Sequence, residues 1–326
     1  MKAANGEAHN DSLGRQPIAE RRHIIDVLLE ERTDALQRVP FLWKLIKRWC
    51  LPFLKYREAV SWADRLARCD GSEAIRLFAE YLDLDVRVSG LEHVPRTGRI
   101  MLVANHPTGF ADAFAVHGAL GLIRPDLRYF ANRDVARMVP GMREVIIPIE
   151  WLRHRRTQSA MRQTLKSLNS AFKEECAVLI FPGGGIARGS LVGLKELDWL
   201  PAAVEMIRRY DCTVIPLHIR ARNSMLYYAL EAMHHELRDL VRFREVFANH
   251  RRRFDLTIGP AISSNEITEP PDEATRLLQS YVERDLKRTA AKSGLCIWPR
   301  MSPSARAVRA LPAHAATRVT CPPRTP

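Results

Sequence analysis

Ile100-Met101-Leu102-Val103-Ala104 runs directly into Asn105-His106-Pro107-Thr108-Gly109-Phe110-Ala111-Asp112. Five apolar residues in a row, too short for a helix and closed by turn formers, read as a strand buried on both faces. That strand delivers a histidine to a loop, and an aspartate follows at the start of a predicted helix. Imidazole titrates near neutrality and can take a proton from a hydroxyl or amine. A carboxylate on its far nitrogen would fix the tautomer and stabilise the imidazolium. Pro107 and Gly109 suit a turn that brings His106 and Asp112 together. The spacing alone leaves a second reading open, a loop histidine beside an aspartate that caps a helix.

Working outward, further strands are expected at residues 85–88, 127–131, 145–149, 177–181, 213–219 and 254–258. Helical periodicity falls at about residues 72–82, 112–122, 157–172, 202–209 and 272–291. Strands alternating with helices predict an α/β fold with a mixed, largely parallel central sheet flanked by helices, preceded by an N-terminal helical segment. In such sheets the site lies beyond the carboxyl ends of the strands. The expected organisation is a disordered N-terminus at 1–20, a helical region at 21–84, an α/β domain at 85–295 and a disordered, Pro-, Ala- and Arg-rich basic tail at 296–326.

Three other strand ends carry candidate chemistry. Ala177-Val178-Leu179-Ile180-Phe181 leads into Pro182-Gly183-Gly184-Gly185-Ile186-Ala187-Arg188-Gly189-Ser190. Glycines after a buried strand can present backbone N–H groups to an anion or oxyanion, and Arg188 could add a charge-assisted contact. The run lacks the Gly-Lys-Ser/Thr of a P-loop, and Arg188 stands where a dinucleotide fingerprint needs glycine. A ligand-free turn is the alternative. Val214-Ile215-Pro216-Leu217-His218-Ile219 has a proline that marks an edge, a bulge or a strand start, and a histidine whose apolar neighbours favour a structural role over a catalytic one. Glu150-Trp151-Leu152-Arg153-His154-Arg155-Arg156, after Ile147-Pro148-Ile149, could meet phosphates or be a solvated charge run.

Fifty Lys and Arg against 37 Asp and Glu give a formal net charge of +13, which suits a polyanion, nucleic acid or an anionic bilayer. No zinc finger, RNA-recognition signature or basic zipper is present, so no nucleic-acid partner is expected. Cys50, Cys69, Cys176, Cys212, Cys296 and Cys321 are scattered, which argues against a disulfide framework or a cysteine zinc site and fits a reducing compartment. No other metal-ligand spacing stands out, and no metal is expected. Neither a signal peptide nor a spanning helix is visible. Between Pro40 and Pro52, Phe41, Leu42, Leu45, Ile46 and Trp49 fall on one helical face, with Lys44, Lys47 and Arg48 on the other. Such a helix either lies in a bilayer interface or packs on the domain. The expected location is cytoplasmic, peripheral on the inner face of the cell membrane.

In this order and spacing, from about residue 88 to 262, the segments resemble the glycerolipid (lysophospholipid) acyltransferase superfamily. Asn105, His106 and Asp112 match its Asn-His…Asp block; Phe181, Pro182 and Gly184 match its Phe-Pro-Glu-Gly-Thr-Arg block. Ile215-Pro216 matches the strand of its last block, and Ile147–Glu150 a weaker second block. The resemblance implies transfer of a fatty acyl group from acyl carrier protein or acyl-CoA, as co-substrate, to a lysolipid or aminolipid acceptor, with no cofactor. His106 would be the general base and Asp112 its partner. Asn105, Thr108, Gly109, Phe181, Pro182, Gly183, Gly184, Gly185 and Arg188 would bind substrate. With no Gly-x-Ser-x-Gly elbow, direct attack is expected rather than an acyl-enzyme.

Two departures stand out. His106 and Asp112 are separated by five residues where four are common, and Gly183 and Ile186 replace the family's Glu and Arg. Both are similar to the branch called hemolysin-like, associated with ornithine-lipid acylation, which also carries Arg-Asn-Ser after the last strand, here Arg222-Asn223-Ser224. In glycerophosphate enzymes that Arg holds the acceptor phosphate, so its loss argues against a lysophosphatidate acceptor; Arg188 and Lys195 are the candidates to take its place. The rival readings are a non-enzymatic membrane-binding protein and an acyl-thioester hydrolase in which the same pair activates water.

Overall fold

The computed structural model describes residues 22–150, 157–190, 193–290 and 296–297. Its main sheet contains β1 (Asp85–Ser89), β2 (Ile100–Ala104), β3 (Arg128–Asn132), β4 (Ile146–Ile149), β5 (Ala177–Ile180), β8 (Thr213–Arg220), β9 (Arg253–Ile258) and the two-residue β10 (Cys296–Ile297); β6 (Arg188–Ser190) and β7 (Gly193–Lys195) form a separate exposed ribbon. The order across the main sheet is β10-β1-β9-β8-β2-β5-β3-β4. From β8 to β4 every pairing is parallel; β9 runs antiparallel to β8 and parallel to β1, and β10 is antiparallel to β1. The sheet is thus mixed and largely parallel, as expected.

Alternation along the central strands divides the core into two layers. Ile100, Leu102 and Ala104 of β2 face the helices Tyr56–Leu66, Gly71–Leu82 and Phe110–Leu120, while Met101 and Val103 face Gln158–Lys173, Ala202–Tyr210 and Pro271–Ser280. Covered on both sides, β2 and β5 are buried at every position, which is why their sequences are unbroken apolar runs. The helices before β1 share the first layer: Trp62, Phe78, Tyr81 and Phe247 pack ring against ring with centroids 4.6–6.1 Å apart.

Some expectations are corrected. Pro216 marks neither an edge nor a start: β8 is central, between β9 and β2. The proline sits at a break in the β8–β9 ladder, where Gly259-Pro260 leaves register between the Leu217↔Ile258 pair and an isolated Val214↔Ile262 bridge, so its missing N–H removes no ladder bond there. Pro52 does not end its helix. Pro40–Leu45 continues through a π-helical turn, Ile46–Cys50, into Leu51–Phe53, and this widened turn accommodates the absent donor of Pro52. It also rotates the apolar face. Ile46 turns inward with Trp43, which was not placed on that face, while Phe41, Leu45 and Trp49 stay exposed. The helices Met225–Met233 and His235–Ala248 were not anticipated; Tyr227, Leu240 and Val241 form a third small core with Trp43 and Ile46. Within the expected tail, Cys296–Ile297 pairs with β1; the rest of that tail, the expected loose N-terminus at 1–20 and Trp151–Arg156 lie outside the described residues.

Candidate active site

The site forms where β2 ends. Asn105 is fixed against β8, accepting from the Ile219 N–H (2.7 Å) and donating from Nδ2 to the Ile219 carbonyl (2.9 Å). This two-point clamp fills a rung that the end of β2 would otherwise leave open. It engages both ends of the Asn105 amide.

His106 follows. Its Nδ1 lies 2.9 Å from Oδ2 of Asp112, which is fully buried. The oxygen sits off the N–H axis, so this is a close charge contact rather than an aligned hydrogen bond, a common state of such pairs without substrate. The ring stacks on Phe181, centroids 3.9 Å apart at 21°, and keeps 19% of its side-chain surface in solvent. With Nδ1 buried against Asp112, the nitrogen left for a substrate is Nε2.

Asp112 satisfies both readings that its spacing allowed. It is the third residue of the helix Phe110–Leu120, and its Oδ2 accepts from the N–H groups of Thr108 (2.9 Å) and Gly109 (3.0 Å) while Oδ1 accepts from the Thr108 hydroxyl (2.5 Å). It therefore caps the helix and lies against the histidine ring. These donors and the helix dipole are the compensation a buried carboxylate requires. Gly109, at φ +91°, makes the turn possible; a Cβ there would also stand 2.7 Å from Cδ1 of Ile186.

The glycine-rich block lies beside this turn. The Gly184 N–H donates to the Phe181 carbonyl (3.0 Å), closing a tight turn, and the Ala187 N–H donates to the His106 carbonyl (2.9 Å). Gly183 and Gly185 are pressed by Leu197: a Cβ would lie 3.2 Å from the Leu197 carbonyl oxygen and 2.7 Å from its Cδ1, respectively. Pro182 accepts from the Leu200 N–H (3.1 Å). Arg188 starts the exposed ribbon, in register with Lys195.

The sequence reading missed Glu196. Its Oε2 accepts the His106 N–H (3.1 Å) and its Oε1 lies 3.5 Å from Nδ2 of Asn105. Burial pushes its pKa up to about 7; the Asp112 and Glu283 carboxylates push the same way, and the His106 N–H and Asn105 amide pull back. No motif marks Lys195-Glu196-Leu197-Asp198; the only signal was a charged residue soon after a glycine run.

His218 is not part of this cluster. It points into the other layer, against the π-helical turn Tyr281–Leu286, where burial first and the Lys287 charge second lower its pKa to about 4. Of the charged run after β4, Glu150 is buried with Oε2 4.0 Å from Nε of Arg133.

A histidine with one nitrogen against a buried carboxylate and the other free can serve as a general base on a hydroxyl. The Acyltransferase family model matches residues 85–220, which hold both blocks. The chain is 29% identical over 199 residues to a lyso-glycine lipid O-acyltransferase of Phocaeicola vulgatus, covering 59% of this chain and 69% of that protein. It is 24% identical over 246 residues to a lyso-glycine lipid O-acyltransferase of Bacteroides thetaiotaomicron, covering 73% of this chain and 88% of that protein. Among solved structures, the 1-acyl-sn-glycerophosphate acyltransferase PlsC of Thermotoga maritima aligns with a TM-score of 0.46 and 13% identity over 83% of this chain and 98% of that one. Together, the family match over residues 85–220 and the two curated relatives support an acyltransferase of lipid metabolism of the glycerolipid and lysophospholipid acyltransferase type.

Proposed function

We propose that the chain moves a fatty acyl group from a thioester, on acyl carrier protein or coenzyme A, to the free hydroxyl of a lysolipid built on an amino acid, with His106 as general base. Nε2 takes the proton of the acceptor hydroxyl as its oxygen attacks the thioester carbonyl. The tetrahedral intermediate then expels the thiolate, which recovers the proton from the imidazolium. Asp112 stabilises the charge on the ring while the proton resides there. In the glycine block the Gly184 N–H is engaged by Phe181, which leaves Gly183 and Gly185 as donors for the oxyanion. The observation that carries the reading is the 2.9 Å contact between Nδ1 of a part-exposed histidine and a fully buried aspartate at the carboxyl end of a central strand.

An amino-acid lipid is favoured over lysophosphatidate on two grounds. Ile186 stands where glycerophosphate enzymes keep their phosphate-holding arginine, and its side chain packs against Gly109. Both curated relatives act, by name, on a lyso-glycine lipid. The motif variants similar to the hemolysin-like, ornithine-lipid-associated branch support the same class of acceptor.

We place the enzyme at an anionic membrane surface, on its cytoplasmic side. No described helix is long and apolar enough to cross a membrane. Phe41 (79% exposed), Leu45, Trp49 (68%) and Phe53 (68%) project from one segment. Arg48 lies over the Trp49 ring and Arg244 over Phe53, a mixture of aromatic and cationic groups suited to a headgroup interface.

The test is His106→Ala in purified full-length protein, given radiolabelled palmitoyl-CoA or palmitoyl-acyl carrier protein with lyso-glycine lipid or lysophosphatidate. Loss of transfer by about 100-fold or more is expected. Transfer at the wild-type rate removes His106 as the base, and label released as free palmitate without acceptor turns the reading toward hydrolysis.

A further inference from the structure

The main chain of His106 is held at both ends by one segment of chain. Ala187 donates to its carbonyl and Glu196 accepts its N–H. Between them the chain leaves through β6 and returns through β7. The return is braced: Gln279 accepts the Trp199 N–H (3.1 Å) and donates from Nε2 to the Leu197 carbonyl (3.1 Å), and the Leu200 N–H bonds the Pro182 carbonyl (3.1 Å). The glycines at 183 and 185 let Leu197 approach, because a side chain at either position would meet it at 3.2 Å or less. The glycine block thus admits the strand return that aims Glu196 at the end of β2.

We propose that Glu196 is a positioning residue of the acyl-transfer centre, its carboxylate fixing the His106 peptide so that the imidazole is presented between Asp112 and the acceptor. The inference rests on His106 being the base. Two features argue for a role beyond packing. Glu196 binds the peptide of the reacting residue itself, together with the Asn105 amide that locks β2 to β8. Its charge is also unwelcome where it stands, with the carboxylates of Asp112 on the helix Phe110–Leu120 and Glu283 on the turn Tyr281–Leu286 both acting against it, and the neutral form favoured up to about pH 7. A residue kept only for stability would be better as glutamine.

The linkage sign follows from the raised pKa. The folded state binds the proton more tightly than the unfolded chain, so stability from this group is greatest below its ordinary 4.5 and declines as pH rises through about 7. Activity should move in the opposite sense, because the ionised carboxylate is the stronger acceptor.

The experiment compares wild type, Glu196→Gln, Glu196→Asp and His106→Ala with radiolabelled palmitoyl-CoA and lyso-glycine lipid in detergent micelles. For Glu196→Gln, kcat should fall tenfold or more with KM for the thioester within about twofold, and the acid limb of the kcat profile should lose the proton that titrates near pH 7. At about pH 8 its Tm should rise above that of wild type. Glu196→Asp, which keeps the charge on a shorter arm, should retain the limb at an intermediate rate. Wild-type kcat in both Glu196 variants overturns the inference, as does a lower rate accompanied by a lower Tm at about pH 8, the mark of a purely structural residue. A fully active His106→Ala enzyme would remove the underlying assignment of the base; an inactive one beside a wild-type Glu196→Gln removes this inference alone.

Discussion

Replacing Asp112 by asparagine separates its two duties, helix cap and histidine partner. Oδ2 receives three groups, the Thr108 N–H, the Gly109 N–H and Nδ1 of His106, while Oδ1 receives only the Thr108 hydroxyl. An asparagine that keeps its carbonyl oxygen at the Oδ2 place retains all three. Its NH2 then faces Thr108 Oγ1, a hydroxyl that can turn from donor to acceptor. No backbone donor is stranded. What is lost is the charge on two backbone hydrogen bonds, about 1 kcal/mol each, so stability should fall by about 2 kcal/mol. Alanine, by contrast, leaves these donors buried without partners, at about 1–3 kcal/mol apiece, and should unfold the region.

Catalysis should respond far more strongly than the fold. An imidazolium whose charge centre lies about 4 Å from a carboxylate gains about 4 kcal/mol at an effective dielectric of about 20. Losing it from the transition state costs about 1000-fold in rate. The assay is single-turnover transfer of labelled acyl groups at saturating donor, beside urea unfolding of the same preparation. Asp112→Asn with wild-type kcat would refute the assignment of Asp112 as the partner that stabilises the imidazolium. A rate loss matched by gross unfolding would show instead that the cap is its main duty.

Two further outcomes are expected. His218 should weaken the fold in acid: its pKa, lowered from 6.5 to about 4, makes stability complete above 6.5 and reduces it as pH falls, by about 3 kcal/mol once below 4, so His218→Leu should flatten the urea-midpoint loss across that window. Phe41→Ser with Trp49→Ser removes two rings from the exposed face, each worth about 2 kcal/mol when inserted, and should weaken binding to phosphatidylglycerol vesicles, read by sedimentation, by about 1000-fold while leaving Tm within a few degrees; unchanged binding would exclude this face as the membrane contact.

The fold was legible because its central strands are buried on both sides. Covered strands must be written as apolar runs, and β2, β5 and β8 can be read straight from them. The helix pair Met225–Ala248 escaped because it borrows its apolar partners, Trp43 and Ile46, from nearly two hundred residues earlier, so its burial is not written in local order. The reading of the helix at Phe41–Trp49 assumed an unbroken 3.6-residue period, which a π turn interrupts. At the site, His106 and Asp112 are near in sequence and their contact could be anticipated. Thr108 and Asn105, expected to touch substrate, spend their polar atoms on Asp112 and on β8. Glu196 reaches its position through a ribbon and a brace from Gln279, a relation with no sequence period.

The two departures from the family pattern, distant in sequence, meet in space. One residue is added to the first block, and the loop accommodates it by a turn through Gly109 at φ +91°. The family's arginine is replaced by Ile186, and the Ile186 side chain occupies the space a Cβ on Gly109 would need, 2.7 Å from its Cδ1. Ile186 also packs against the third core, to which Tyr227 of the helix Met225–Met233 belongs, so an aliphatic side chain lies between that core and the Gly109 turn. A charged guanidinium in that position would need partners which this apolar contact does not supply. The lengthened first block and the isoleucine at the arginine's place therefore meet in one contact, which supports the proposal of an acceptor recognised without a phosphate at that point.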